Sequence, residues 1–196
     1  MLIPFERLLK TPVMSLQTGA ELATIARMLV DPRDLTIVAY ELEGHNLDQR
    51  PSFLRPTDVR ELSNLGLIVD SSDEFVALDD VIRIKQVYEY EFDLIGLDVL
   101  DDRKKKLGKV HGYNVDSGSF SVQQLVVRRP LLKSFGDTEL LIHRSQIEEV
   151  RDSYVKVRSA SAEEPERNVV REYTNPFRSS SVQPEAIDTD TQWPYA

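Results

Sequence analysis

The chain nearly repeats itself, and this restricts its folds more than any other feature. Leu8-Leu9-Lys10-Thr11-Pro12-Val13 is echoed by Leu94-Ile95-Gly96-Leu97-Asp98-Val99. Ile25, Val30 and Asp31 are echoed by Val110, Val115 and Asp116. The run Thr36-Ile37-Val38-Ala39-Tyr40-Glu41-Leu42 is echoed by Ser121-Val122-Gln123-Gln124-Leu125-Val126-Val127. Pro56-Thr57-Asp58-Val59-Arg60-Glu61-Leu62 is echoed by Arg144-Ser145-Gln146-Ile147-Glu148-Glu149-Val150. The spacing drifts from about 85 to about 88 residues, which is too long for a solenoid unit, and two copies are too few for one. A duplicated small domain is the better reading, with copies over residues 8–92 and 93–158 and a tail over 159–196.

Each copy reads as β structure. Ile37 to Leu42 and Val122 to Val127 are β-branched or apolar nearly throughout, which suits strands buried on both faces. Asp31-Pro32-Arg33-Asp34 and Asp116-Ser117-Gly118-Ser119 precede them and carry turn chemistry, so each marks a hairpin. Residues 81–92 alternate: Ile82, Ile84, Tyr88, Tyr90 and Phe92 share one parity, and Arg83, Lys85, Glu89 and Glu91 the other. This period predicts a strand with one buried and one wet face. Residues 56–66 depart from the pattern and predict a short helix, with Pro56 in its first turn, Asp58 and Glu61 near its positive end and Gly66 as a stop. Ser145-Gln146-Ile147-Glu148 has the form of a capping box for about one turn.

From about residue 160 the character changes. Serine runs, prolines and acids dominate, and such a segment buries too little apolar surface to offset its conformational entropy. The expectation there is a disordered, acidic tail, with Trp193 and Tyr195 flanking Pro194 as an apolar island able to contact a partner.

Composition narrows function. The net charge is −9 and the pI about 4.9, which opposes nonspecific binding to phosphate backbones or anionic lipid, although a local basic patch still permits either. There is no cysteine, so disulfides, thiolate catalysis and iron–sulfur ligation are excluded. No apolar stretch approaches the roughly 20 residues that span a bilayer. Met1-Leu2-Ile3-Pro4-Phe5-Glu6-Arg7 meets charge and proline at once, unlike a secretory leader. The expected compartment is the cytoplasm, with no stable membrane insertion.

Both copies resemble PRC-barrel domains, the small β-barrel module named after the photosynthetic reaction-centre H subunit. The resemblance rests on a first strand near Leu9-Lys10-Thr11-Pro12-Val13 or Ile95-Gly96-Leu97-Asp98-Val99. Leu107-Gly108-Lys109-Val110-His111-Gly112-Tyr113-Asn114-Val115-Asp116, the apolar run from Ser121 and the late Leu141-Ile142-His143-Arg144-Ser145-Gln146-Ile147 complete it. The second copy matches better. In the first, Glu21-Leu22-Ala23-Thr24-Ile25 replaces the Gly-Lys-Val portion. The resemblance covers about residues 8–158. It implies an all-β fold of two tandem small antiparallel barrels, with one or two short helices and the tail. The family serves as adaptors, including the C-terminal domain of a bacterial ribosome maturation factor. It implies no catalytic, cofactor or metal residues.

The candidate sites are correspondingly sparse. His45, His111 and His143 lack local ligand spacing, though His111 and His143 share a copy and could meet across strands. Asp70-Ser71-Ser72-Asp73-Glu74 fails the EF-hand pattern and reads as a solvated hairpin turn. Arg103, Lys104, Lys105 and Lys106, with Lys109, form the densest basic cluster. Arg128, Arg129 and Lys133 form another. These suit RNA or an anionic surface, or simply keep strand edges soluble. The expected function is a non-enzymatic adaptor or scaffold with a protein partner. The alternative is a protein that binds the ribosome or RNA-processing machinery; a homo-oligomer is left open.

Overall fold

A computed structural model describes residues 1–45, 47–129 and 139–158. The tail, with Trp193 and Tyr195, lies outside the described residues, as does Lys133.

The chain begins with β1 (Leu2–Pro4) and the one-turn helix α1 (Phe5–Leu8). The first copy follows as β2 (Pro12–Ser15), β3 (Glu21–Asp31), β4 (Thr36–Glu43), β5 (Ser52–Leu54), a 3-10 turn (Pro56–Asp58), β6 (Glu61–Ser63) and β7 (Gly66–Val69). Next come β8 (Phe75–Ala77) and helix α2 (Ile82–Glu89). The second copy has the same order: β9 (Asp98–Leu100), β10 (Lys106–Asp116), β11 (Ser121–Arg128), β12 (Glu139–His143), a 3-10 turn (Arg144–Gln146), β13 (Ile147–Val150) and β14 (Tyr154–Val157).

The sheet displays the duplication. Its ladder runs β13-β14-β9-β10-β11-β4-β3-β2-β7-β6, which maps onto itself when the copies are exchanged. In each copy the last strand lies parallel to the first, β7 beside β2 and β14 beside β9. Bulges recur at matching places, between Ile25 and Arg27 as between Val110 and Gly112. At the centre Ile37 N–H donates to Phe120 O (2.8 Å) and Val122 N–H to Leu35 O (2.9 Å). Leu35 and Phe120 hold matching left-handed backbones, with φ of 52° and 50°. These uncommon conformations aim both carbonyls across the seam. The fold is thus mostly β, but the sheet is open: among the described residues no pairing closes either copy.

The inner face repeats position by position. Ile25, Met28, Val30, Ile37, Tyr40 and Leu42 stand where Val110, Tyr113, Val115, Val122, Leu125 and Val127 stand, all buried in one shared cluster. Each such side chain contributes about 1.5–3 kcal/mol on burial. The alternation of these strands therefore marks a shared core, and the duplication survives where apolar transfer energy holds it.

Two expected elements change type. Residues 81–92, read as a strand, form α2 and its exit. Ile84 (1% exposed) and Val87 are buried while Ile82 (76% exposed) and Tyr90 face outward. The segment satisfies two periods at once, since Val81, Ile84, Val87 and Tyr88 also make a helical stripe. The helix wins because it covers Leu29, Ala39 and Phe53 on the outer face of the first copy, building a second core cluster. Arg83 and Lys85, expected on a strand's wet face, instead pair with Asp31 and Asp79. Residues 56–66, read as a helix, stop after the single 3-10 turn and become the β6–β7 hairpin, because Val59 is already extended. Ser72–Glu74 is likewise a 3-10 turn leading to β8, and β7 and β8 are not paired, so the acidic run is no hairpin. The capping box is real but starts earlier: the His143 side chain accepts from Ser145 N–H and Gln146 answers to His143 N–H. Among the described residues no helix is long and apolar enough to cross a membrane.

Candidate functional site

The β9–β10 turn builds the basic tip. The buried Asp101 carboxylate accepts from the backbone N–H of Arg103 (2.9 Å) and Lys105 (2.7 Å). Asp101 N–H donates to Lys105 O and Lys104 N–H to Asp101 O, with Lys104 left-handed at φ 61°. An acidic side chain turned inward thus holds the loop, and Arg103, Lys104 and Lys105 stand exposed without a carboxylate partner among the described residues. Lys106 and Lys109 differ. Both clamp Asp98, at 2.6 and 2.9 Å, and their hydrogen bonds hold its carboxyl below the ordinary carboxylate range.

The second basic group lies at the same end of the β10–β11 hairpin. Lys109 faces Arg128 in the ladder, and Arg129 follows. The Arg128 guanidinium donates to Nε2 of His111 at 2.6 Å. Gly108 lets the β11 backbone come close to β10: a Cβ there would sit 2.2 Å from the Arg128 backbone O. The register sets Lys109 between Asp98 on β9 and Arg128 on β11.

A cleft of about 600 Å³ lies at the joint of the copies, lined by the β3–β4 turn, α2 and the β13–β14 turn. Its floor is Asp31, wholly buried. Arg33 binds Asp31 through Nε (3.0 Å) and Nη2 (2.8 Å), and Arg83 reaches it from α2 (2.9 and 3.1 Å). The Arg33 hydrogen bonds hold the Asp31 carboxyl at about 2, against burial that would raise it. Arg83 also pairs with Asp34 at 2.7 Å. Across the cleft the Tyr90 hydroxyl donates to Asp152, which pushes the phenol's pKa up. Arg151 pairs with Glu149. Asp31, Arg33, Arg83, Asp34 and Arg151 thus each have a counter-charge, and Asp152 accepts from the Tyr90 hydroxyl. The cleft binds its own walls together.

The histidines stay apart. His111 engages Arg128, His143 caps its 3-10 turn, and His45 is exposed in the loop after β4. Among the described residues no group of three His, Asp or Glu could hold a metal ion. Sequence reading missed the Asp31–Arg83 latch because Arg83 was placed on a strand. It also missed Arg144, whose guanidinium donates to Val122 O and Asp34 O across the seam. The signal for the latch was the turn aspartate repeated in both copies; the partner is long-range and had no local mark. Comparison with family models and with curated proteins found no match to this chain.

Proposed function

We propose that the protein is a non-enzymatic adaptor, built on two PRC-type modules, that binds a macromolecular partner through the basic tip of its second copy. One observation carries this reading. The copies share their buried face residue for residue and differ at the corresponding tips: Leu16-Gln17-Thr18-Gly19 in the first, Asp102-Arg103-Lys104-Lys105 in the second. A common frame presenting different surfaces is what a binding module requires, and fold alone would not supply a function. A protein partner with an acidic surface suits a tip of unpaired cations on a chain of net negative charge. The second reading, binding to ribosome or RNA, is favoured by the exposed cations Arg103, Lys104 and Lys105, which have no carboxylate partner among the described residues.

The test is affinity capture with the full chain and with its Arg103→Glu, Lys104→Glu, Lys105→Glu variant. The expected result is a stoichiometric partner retained by the first and lost by the second, with retention falling steeply with salt. Ribosomal proteins or RNA in the eluate select the second reading. Substrate turnover by the purified protein, or capture indifferent to the triple reversal, overturns the proposal.

A further inference from the structure

We propose that the cavity between β1 and the β6–β7 hairpin binds a small, uncharged and mostly apolar molecule that carries one oxygen acceptor, held by the Tyr40 hydroxyl. The inference goes beyond the adaptor reading, since none of the basic tip lines this site. The cavity has a volume of about 100 Å³ and lies where the two copies meet. Tyr40 reaches it from β4, Leu62 and Leu67 from the hairpin, and Ile3 from β1. Val115 closes it from the end of β10, and Phe120 from the turn that follows. Ile3, Leu8, Glu61 and Leu62 also line an open groove of about 460 Å³, which supplies a way in.

The Tyr40 hydroxyl sets this cavity apart. Tyr40 is 2% exposed, yet its phenol has no hydrogen-bond partner among the described residues, and burial alone pushes its pKa up. A buried hydroxyl without a partner carries a free-energy cost that a leucine would not. The second copy shows that alternative, with Leu125 at the matching place in the shared core. The first copy thus keeps a hydrogen-bond donor in an apolar chamber, the combination that fixes a ligand's orientation. The walls define the rest of the ligand. Ile3, Leu8, Leu67 and Val115 are buried and apolar, so a charge among them would go uncompensated. At the rim Arg60 is already paired with Asp70, and Glu61 is exposed. Water suits the chamber less, because an internal water makes about three hydrogen bonds and the walls around Tyr40 are apolar. A dry cavity of about 150 Å³ accommodates benzene. About 100 Å³ therefore suits a slightly smaller molecule, such as a five-membered cyclic ketone.

The experiment titrates cyclopentanone into the full chain and follows the methyl resonances of Ile3, Leu62, Leu67 and Val115 by NMR. The expected result is a saturable shift of these methyls. Tyr40→Phe should weaken cyclopentanone by about fivefold or more, since it removes one hydrogen bond and no apolar contact. The same variant should leave the affinity for cyclopentane, which lacks an acceptor, unchanged. Thermal melts add a check that needs no ligand. Because the hydroxyl has no partner to lose, Tyr40→Phe should melt no lower than the wild type. A lower melt would show the hydroxyl already bonded, to the protein or to an internal water, and overturns the inference. Absence of saturable shifts at these methyls, or equal affinity of wild type and Tyr40→Phe for cyclopentanone, overturns it as well. So does an equal loss of cyclopentane affinity, because the variant then acts through the shape of the cavity and not through the hydroxyl.

Discussion

The two copies share one inner face and have opposite outer faces. In the first, Leu29, Ala39 and Phe53 point outward and are sealed by α2. In the second, Asn114, Gln124 and Leu141 hold the same places. The Asn114 amide donates to Gln124 Oε1 at 3.0 Å, and Leu141 stays exposed. Two amides bonded to each other tolerate water on their face, whereas Leu29 and Phe53 together gain from the cover that α2 supplies. The same strands therefore serve as the middle layer of a three-layer stack in one copy and as the outer wall in the other. Duplication preserved what burial enforces and released what it does not.

The largest expected contrast is at matched positions. Phe53→Ala should cost about 3–5 kcal/mol in urea unfolding, from lost transfer energy plus the cavity. Leu141→Ala should cost under about 1 kcal/mol, since its side chain is already wet. Equal losses would break the comparison. Next, Ile84→Ala should cost about 2–4 kcal/mol. Ile82→Ala, on the opposite side of α2, should stay within about 0.5 kcal/mol. A strand would reverse neither residue, so this pair separates the helix from the alternation.

The Asp31 latch sharpens the contrast further. Asp31→Asn should destabilise by about 2 kcal/mol, because Arg33 and Arg83 lose a charged acceptor. Asp116, the matching turn residue, receives Ser119 and lies nearer solvent, so Asp116→Asn should cost less. The folded Asp31 carboxyl sits at about 2, below the unfolded value of about 3.9. Its contribution is therefore complete above pH 4 and is lost as pH falls through about 2. Thermal melts from pH 5 to pH 2 should decline more for the wild type than for Asp31→Asn; parallel declines would remove Asp31 from the account. The smallest effect on stability belongs to the tip. Arg103→Glu, Lys104→Glu and Lys105→Glu should each leave the melt within about 0.5 kcal/mol, being exposed and unpaired. A large loss would mean that the tip is a structural element.

Legibility followed the range of the determining interaction. The echo of Ile25, Val30 and Asp31 in Val110, Val115 and Asp116 is visible by eye, and the ladder places them in matching strands. The Asp31–Asp34 and Asp116–Ser119 turns were equally plain, since aspartate at the first turn position acts on its own neighbours. The basic residues of the tip were found, but not the placement of Lys109 opposite Arg128, which depends on the β10–β11 register. Pro56-Thr57-Asp58 was recognised as a helix start and overextended, because a start signal carries no length.

The sequence by itself determined the duplication, the β class of both copies, the hairpin turns and the exposed cations, because periodicity and turn chemistry act within a few residues. Only the tertiary structure decided that residues 81–92 are helical, that Lys106 and Lys109 are spent on Asp98, and that Asp31 is latched by Arg83. The reason is physical. Val81-Ile82-Arg83-Ile84-Lys85 fits a strand or a helix almost equally, so its local preference is weak. The apolar outer face of Leu29, Ala39 and Phe53 supplies several kcal/mol of burial to whichever shape covers it, and a helical stripe covers it best.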